Sequence, residues 1–229
     1  MSLTVASILV LMFLNLVLGS VSIPLKSVWN IICGLGDEPV TWQNIVWKSR
    51  LPQALTALVA GAGLAISGLQ MQTVFRNPLA GPSVLGISSG ASMGVAFVVL
   101  LSGSLGGVAL SKLGVMGEIA LSIAAVIGSL SVMALIVYVS QKVKGNVTLL
   151  IIGVMIGYVA NAVIGVLKFF SVEEDIRAYV IWGLGSFSRV SGNQMMLFVA
   201  IMAILIPLSF LLIKTLNLML LGDGYARNL

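Results

Sequence analysis

Residues 51–75 read LPQALTALVAGAGLAISGLQMQTVF, a run without a single charge, closed by Arg50 on one side and Arg76 on the other. A hydrocarbon core about 30 Å thick needs about 20 apolar helical residues, so this stretch is long enough to cross a bilayer as one helix. Outward from it, residues 1–25, 77–111, 119–141, 145–167 and 190–213 are also charge-free. Each Lys, Arg or Asp at a helix centre would cost about 2.5–3.5 kcal/mol on insertion, so gaps this regular mark spans. The expected fold is all-α: a polytopic helical membrane protein with six transmembrane helices. The first span has a rival, because an uncharged start, an apolar run and a Gly-Ser end also suit a cleaved signal peptide. Against that, it lacks a basic leader and is long enough to cross.

Composition agrees. A soluble domain is about one-quarter charged, whereas these 229 residues hold 12 basic and 7 acidic side chains and are 59% hydrophobic. The mean hydropathy is +1.14. The single cysteine, Cys33, excludes an intramolecular disulfide, and the lack of histidine removes the commonest metal ligand and general base. The net charge of +5 comes from basic residues scattered singly, which argues against a nucleic-acid-binding stripe. No Gly-Lys-Ser/Thr phosphate loop occurs, so ATP-driven work requires a partner. No acid lies mid-span, and Glu118 sits at a helix edge, which weakens a proton-relay or sodium-coupled carrier.

Orientation is not settled by charge. A cytoplasmic N-terminus puts Arg76, Lys142, Lys144, Lys214 and Arg227 inside, and Lys26, Lys48, Arg50, Lys112, Lys168, Arg177 and Arg189 outside, against the usual bias. Most acids would also lie outside, with Asp223 the exception.

Small residues recur within the spans. Gly153, Gly157, Asn161 and Gly165 stand four apart, and so give either a packing seam or, with Asn161 on a narrow face, the lining of a passage. Gly61, Ala65, Gly68 and Gln72 form a similar stripe. The Asn77-Pro78 and Gly81-Pro82 pairs must turn the chain, since proline lacks an amide donor and disfavours helix before it. The following Gly86–Gly94 run, which includes Ser88 and Ser89, is better placed between helices than against acyl chains. Residues 24–47 are too polar and broken to cross, and their Trp29, Trp42 and Trp47 rings suit a membrane surface.

The stretch RLPQALTALVAGAGLAISGLQMQTVFRNPLAGPSVLGISSGASMG, residues 50–94, resembles the signature region of the FecCD family, the permease subunits of ABC importers for iron-siderophores, haem and cobalamin. The likeness continues through LLIIGVMIGYVANAVIG (149–165), WGLGSF (182–187) and LNLMLLGDGYARNL (216–229). The RNPLAGPSVLG block is its most specific part.

The resemblance implies one multi-pass permease domain over residues 1–229 in the inner (plasma) membrane, with a cytoplasmic N-terminus and no cofactor. It implies a dimer, with a second copy or a paralogous permease, whose shared axis holds the pathway. Two ABC ATPase subunits and a periplasmic or lipid-anchored substrate-binding protein are the implied partners, and hydrolysis belongs to the ATPase. Residues 215–229 correspond to the cytoplasmic coupling segment, with Leu221, Gly222, Asp223, Gly224, Ala226 and Arg227 at the ATPase groove. Gly224 stands where the family often carries a second acid. Receptor docking corresponds to Arg50 and Gln53, the latter replacing an arginine. The gate corresponds to Asn146 and Val147, and the pathway to Gly153, Gly157 and Asn161 with Ser88 and Ser89. Six of about ten family helices are accounted for, so the chain reads as truncated at its C-terminus. An ion-gradient-driven secondary carrier and a non-transporting membrane scaffold remain as alternatives.

Overall fold

Uncharged runs bounded by glycine, proline and charge become helices because a backbone away from water must bond to itself. The computed structural model describes residues 2–104, 115–143, 145–188 and 190–221. In chain order the α-helices are α1 (Ser2–Val17), α2 (Leu25–Cys33), α3 (Val40–Ile45), α4 (Leu51–Phe75), α5 (Ile87–Ser104), α6 (Val115–Ser140), α7 (Asn146–Phe170), α8 (Glu173–Gly183), α9 (Gly192–Phe210) and α10 (Ile213–Leu221). Among the described residues no strand occurs.

Among the described residues, four stretches are long and apolar enough to cross a membrane: Val40–Phe75, Met116–Ser140, Val147–Phe170 and Gly192–Phe210. The other two expected spans are shorter within the described residues. α1 has 16 residues and α5 has 18, about 24 and 27 Å at 1.5 Å per residue. The apolar run 1–25 stops being helix at Val17, before Gly19-Ser20, and the run 77–111 becomes helix only at Ile87, after Pro78 and Pro82.

The segment 24–47 also differs from the broken surface stretch expected of it. α3 continues without interruption through a π-helical turn, Val46–Arg50, into α4, so that Val40–Phe75 is one helical rod. The cause lies two residues past the π turn. Pro52 has no amide to offer the Lys48 carbonyl, and the wider turn absorbs the misfit.

The chain divides into two compact units, Met1–Ile66 with Ser186–Lys214, and Ser67–Gly185 with Thr215–Leu229. In the first, Leu16, Ile23, Val28, Ile31, Val46 and Ala54 form the core. In the second, Val95, Ala96, Val99 and Leu100 of α5 meet Ile164 of α7 and Tyr179 of α8. A separate cluster joins Leu85 to Val132 and Ile136 of α6, with Met71, Phe75, Leu150, Ile152 and Ile156 packed around it.

Candidate functional site

Within the second unit, helices approach through glycine. A Cβ on Gly90 of α5 would stand 2.7 Å from the Gly128 carbonyl oxygen of α6, and one on Gly94 would overlap the Ala124 carbonyl. Just before α5, a short 3-10 turn (Pro82–Leu85) ends at Gly86, whose added Cβ would lie 2.7 Å from the Gly153 oxygen of α7. The reverse holds, because a Cβ on Gly153 would stand 2.7 Å from Leu85 Cα. Van der Waals contact between α7 and the residues preceding α5 is therefore made backbone to backbone.

This contact divides the expected pathway residues. Gly153 and Gly157 are buried, and a Cβ at Gly157 would meet Ser89 Oγ at 3.3 Å. Asn161 and Gly165 are exposed, Ser88 is exposed and Ser89 is half-buried. A spacing of four gains about 40° per step on a helix of 3.6 residues per turn, so the sequence stripe drifts off the contact. The buried line instead runs Gly153, Gly157, Ala160, Ile164. Asn161 lies off this seam and is exposed.

Two apolar grooves flank α6. One, of about 530 Å³, lies among Met93, Phe97, Ile123 and Ile127, and the other, of about 420 Å³, among Leu135, Ile152, Met155 and Val159. Ser131 reaches both. Among the described residues no group of three or more Asp, Glu, Cys or His gathers to hold a metal.

At the start of α7, Gly145 adopts φ +112°, a conformation glycine tolerates, and the helix begins at Asn146. Val147 in its first turn is 69% exposed. Leu221 is the last described residue of α10, and Gly222, Asp223, Gly224, Ala226 and Arg227 lie outside the described residues.

Arg50 does not point into solvent. It is 5% exposed, and its guanidinium donates to the Leu16 carbonyl at 2.7 Å, to Val17 at 2.8 Å and to Val21. These are carbonyls at and beyond the end of α1, where no helical donor reaches them. A Cβ on Gly19 would stand 2.8 Å from Arg50 Nη2, so glycine at 19 leaves the guanidinium its space. Gln53, one turn on, is half-buried.

Two further residues were not singled out by the sequence. Arg76 closes α4 and reaches the Met219 carbonyl of α10 at 2.7 Å. Only its place beside the Asn77-Pro78 turn hinted at a special position. Asp175, in the acidic first turn of α8, is 6% exposed, and its Oδ2 has no hydrogen-bond partner. Burial, and secondarily the Glu174 charge, hold its carboxyl above the usual carboxylate range. On the same helix, burial also raises the Tyr179 hydroxyl, partly offset by its bond to Ser92, and Lys168 Nζ lies 4.9 Å above the Tyr179 ring.

The arrangement matches known transport proteins. The vitamin B12 import system permease protein BtuC of Serratia proteamaculans (strain 568) is 36% identical over 187 residues, 82% of this chain and 53% of that protein. The hemin transport system permease protein HmuU of Yersinia pestis is 32% identical over 214 residues, 93% of this chain and 60% of that protein. A solved structure, described as an inward-facing conformation of a metal-chelate type ABC transporter, superposes with a TM-score of 0.76 at 25% identity, covering 96% of this chain and 64% of the other. The chain thus spans little more than half the length of the curated relatives it matches. The match of the FecCD transport family extends over residues 7–229, through every helix from α1 to α10, and the chain belongs to that family.

Proposed function

We propose that this chain is the membrane-spanning permease subunit of an ATP-driven importer in the inner membrane. Its cargo is a bulky metal chelate: an iron chelate such as a siderophore or haem, or cobalamin. The observation that carries this reading is the FecCD match over residues 7–229, supported by relatives named for vitamin B12 and hemin transport. The chain has no phosphate-binding loop, so hydrolysis falls to separate ATPase subunits that engage residues 215–229. A periplasmic or lipid-anchored binding protein delivers cargo, and a second permease, identical or paralogous, completes the pathway.

The physical logic is alternating access between two states. Nucleotide binding moves that equilibrium only by favouring one state over the other, so the coupling segment must differ in its contacts between them. Ser88 and Asn161 supply exposed uncharged surface, which passes a large cargo without a tight polar site to delay release, while Gly153 and Gly157, buried against Leu85 and Ser89, let α7 pack closely beside it. Asn146 and Val147, at the start of α7, serve as the gate. With Arg50 buried and engaged by α1, receptor docking uses Gln53 and its surroundings, and Arg50 braces that surface from beneath.

Isolation of the assembled complex from native membrane, followed by reconstitution in liposomes, tests this. The expected result is uptake of chelate that requires ATP and the ATPase, and loss of ATPase association on changing Asp223 and Arg227 together. Uptake driven by an ion gradient with no ATPase present would reject the proposal in favour of a secondary carrier.

A further inference from the structure

α4 ends in a Schellman arrangement. The Asn77 amide bonds the Gln72 carbonyl at 3.1 Å and the Arg76 amide bonds Thr73 at 3.2 Å, with Arg76 itself in the left-handed region at φ +47°. The same pair of bonds closes α2, where Leu35 reaches Asn30 at 2.8 Å and Gly34 reaches Ile31 at 3.4 Å. There the left-handed residue is glycine, at φ +68°, and Gly36, Gly86, Gly145 and Gly185 take the other positive values. Among the described residues Arg76 is the one side-chain-bearing residue at positive φ. A Cβ in this region is disfavoured, and glycine at position 76 would relieve the strain. An arginine held there points to a use for its side chain.

That side chain crosses 143 positions of sequence to donate from Nη2 to the Met219 carbonyl, in the last turn of α10. A cation held on a carbonyl toward the C-terminal side of a helix is favoured by the helix dipole. α10 immediately precedes residues 222–229. On its other side Arg76 continues into a stiff loop. Asn77 Oδ1 accepts from the Leu79 amide at 2.9 Å, the Ala80 amide bonds the Asn77 carbonyl at 3.0 Å, and Gln72 Nε2 bonds the Pro78 carbonyl at 3.1 Å. The loop ends at Leu85 and Gly86, which are wedged without slack against Gly153 of α7, with Leu85 buried among side chains of α4, α6 and α7.

We propose that Arg76 is a transmission residue: it ties the last turn of α10 to the Asn77–Gly86 loop, so that displacement of the ATPase-facing segment is passed to α7. The inference rests on the importer reading above and adds the positioning residue through which that site is driven. The bond is made by a guanidinium to a backbone carbonyl, so it tolerates any side chain at position 219 but not loss of the arginine.

R76G is the informative variant, because glycine suits the left-handed turn and keeps α4 closed while deleting the tie. In the complete reconstituted complex, R76G is expected to retain ATPase association and ATP hydrolysis, yet to lower chelate uptake per ATP hydrolysed by about fivefold or more, at the low end of allosteric couplings. R76K, which keeps a charge and a donor, is expected to recover part of this. Backbone hydrogen exchange in α10 should rise about threefold to tenfold in R76G with the end of α4 unchanged. Unaltered uptake per ATP would overturn the proposal, as would complete loss of the ATPase, which would make Arg76 an assembly residue. An unsubstituted complex with no ATP-driven uptake would sink the importer reading and the transmission role with it. The exchange measurement would still decide whether the tie exists.

Discussion

Arg50 and Asp175 show how one side chain sets local structure. Arg50 satisfies two carbonyls at the end of α1 and a third just beyond it, at Val21, and its planar fork does what a lysine ammonium cannot. Arg50→Ala is expected to destabilise the chain by on the order of 3 kcal/mol, read as a lower unfolding temperature in detergent, with Arg50→Lys recovering little. Were Arg50 instead a docking residue, the substitution would weaken receptor binding and leave that temperature unchanged. Asp175 carries the opposite lesson, a buried carboxylate whose Oδ2 has no hydrogen-bond partner. Because its folded-state affinity for a proton is raised, protonation favours the docked α8. That contribution is fully present below the ordinary aspartate value of about 4 and is lost as pH rises through the raised one. Asp175→Asn should flatten this dependence and leave α8 at neutral pH at least as protected from hydrogen exchange as in the unsubstituted chain. A variant whose protection still fell with rising pH would show that another group is titrating.

Among the helices, the glycines fall into two physical groups that composition does not separate. Gly90, Gly94, Gly128, Gly86 and Gly153 stand where a methyl group would strike backbone, whereas Gly61, Gly68 and Gly165 have nothing within 4 Å of an added Cβ. Gly128→Ala, which would meet the Gly90 carbonyl, should cost at least about 1–3 kcal/mol through forced separation of α5 and α6. Gly165→Ala should leave stability unchanged or raise it by up to about 1 kcal/mol through helix propensity. Paired thermal unfolding in detergent distinguishes them, and equal effects at both sites would contradict the packing described for α5–α6. The π turn before α4 belongs to the same scale. It carries the helix through the region of Pro52 and sets Arg50 facing inward beneath α1.

For the molecule as a whole, large apolar side chains stand exposed along the helices, among them Leu9, Leu64, Ile127, Val159, Leu197 and Ile204. None of the residues in Gly192–Phe210 is buried, and in the apolar 18-residue window of Val40–Phe75 the share is 11%. Such faces are stable only against acyl chains or other protein. The curated relatives, of which this chain covers 53% and 60%, have further length to place beside them. Trp29 and Trp47, 55% and 49% exposed, should lie at the headgroup level. In single-tryptophan variants, lipids brominated near the headgroup should quench either ring more than lipids brominated at the chain end, and deeper quenching would move α2 and α3 into the hydrocarbon.

Much of this was readable before any coordinates. Charge-free length located α1, α4, α5, α6, α7 and α9 but not the shorter α2, α3, α8 and α10; Asn77-Pro78 and Gly81-Pro82 located the turn between α4 and α5, and the RNPLAGPSVLG block pointed to the family, because membrane spans and proline turns are dictated by short-range chemistry. The orientation of side chains was not readable in the same way. That Asn161 is exposed while Ala160 and Ile164 continue the Gly153–Gly157 line, that Arg50 faces inward, and that Arg76 meets Met219 all depend on helix phase and on partners distant in sequence. A spacing of four residues cannot reveal which neighbour a face will meet, since each step off the helical period rotates the side chain, and only packing against a second backbone selects the face that is buried.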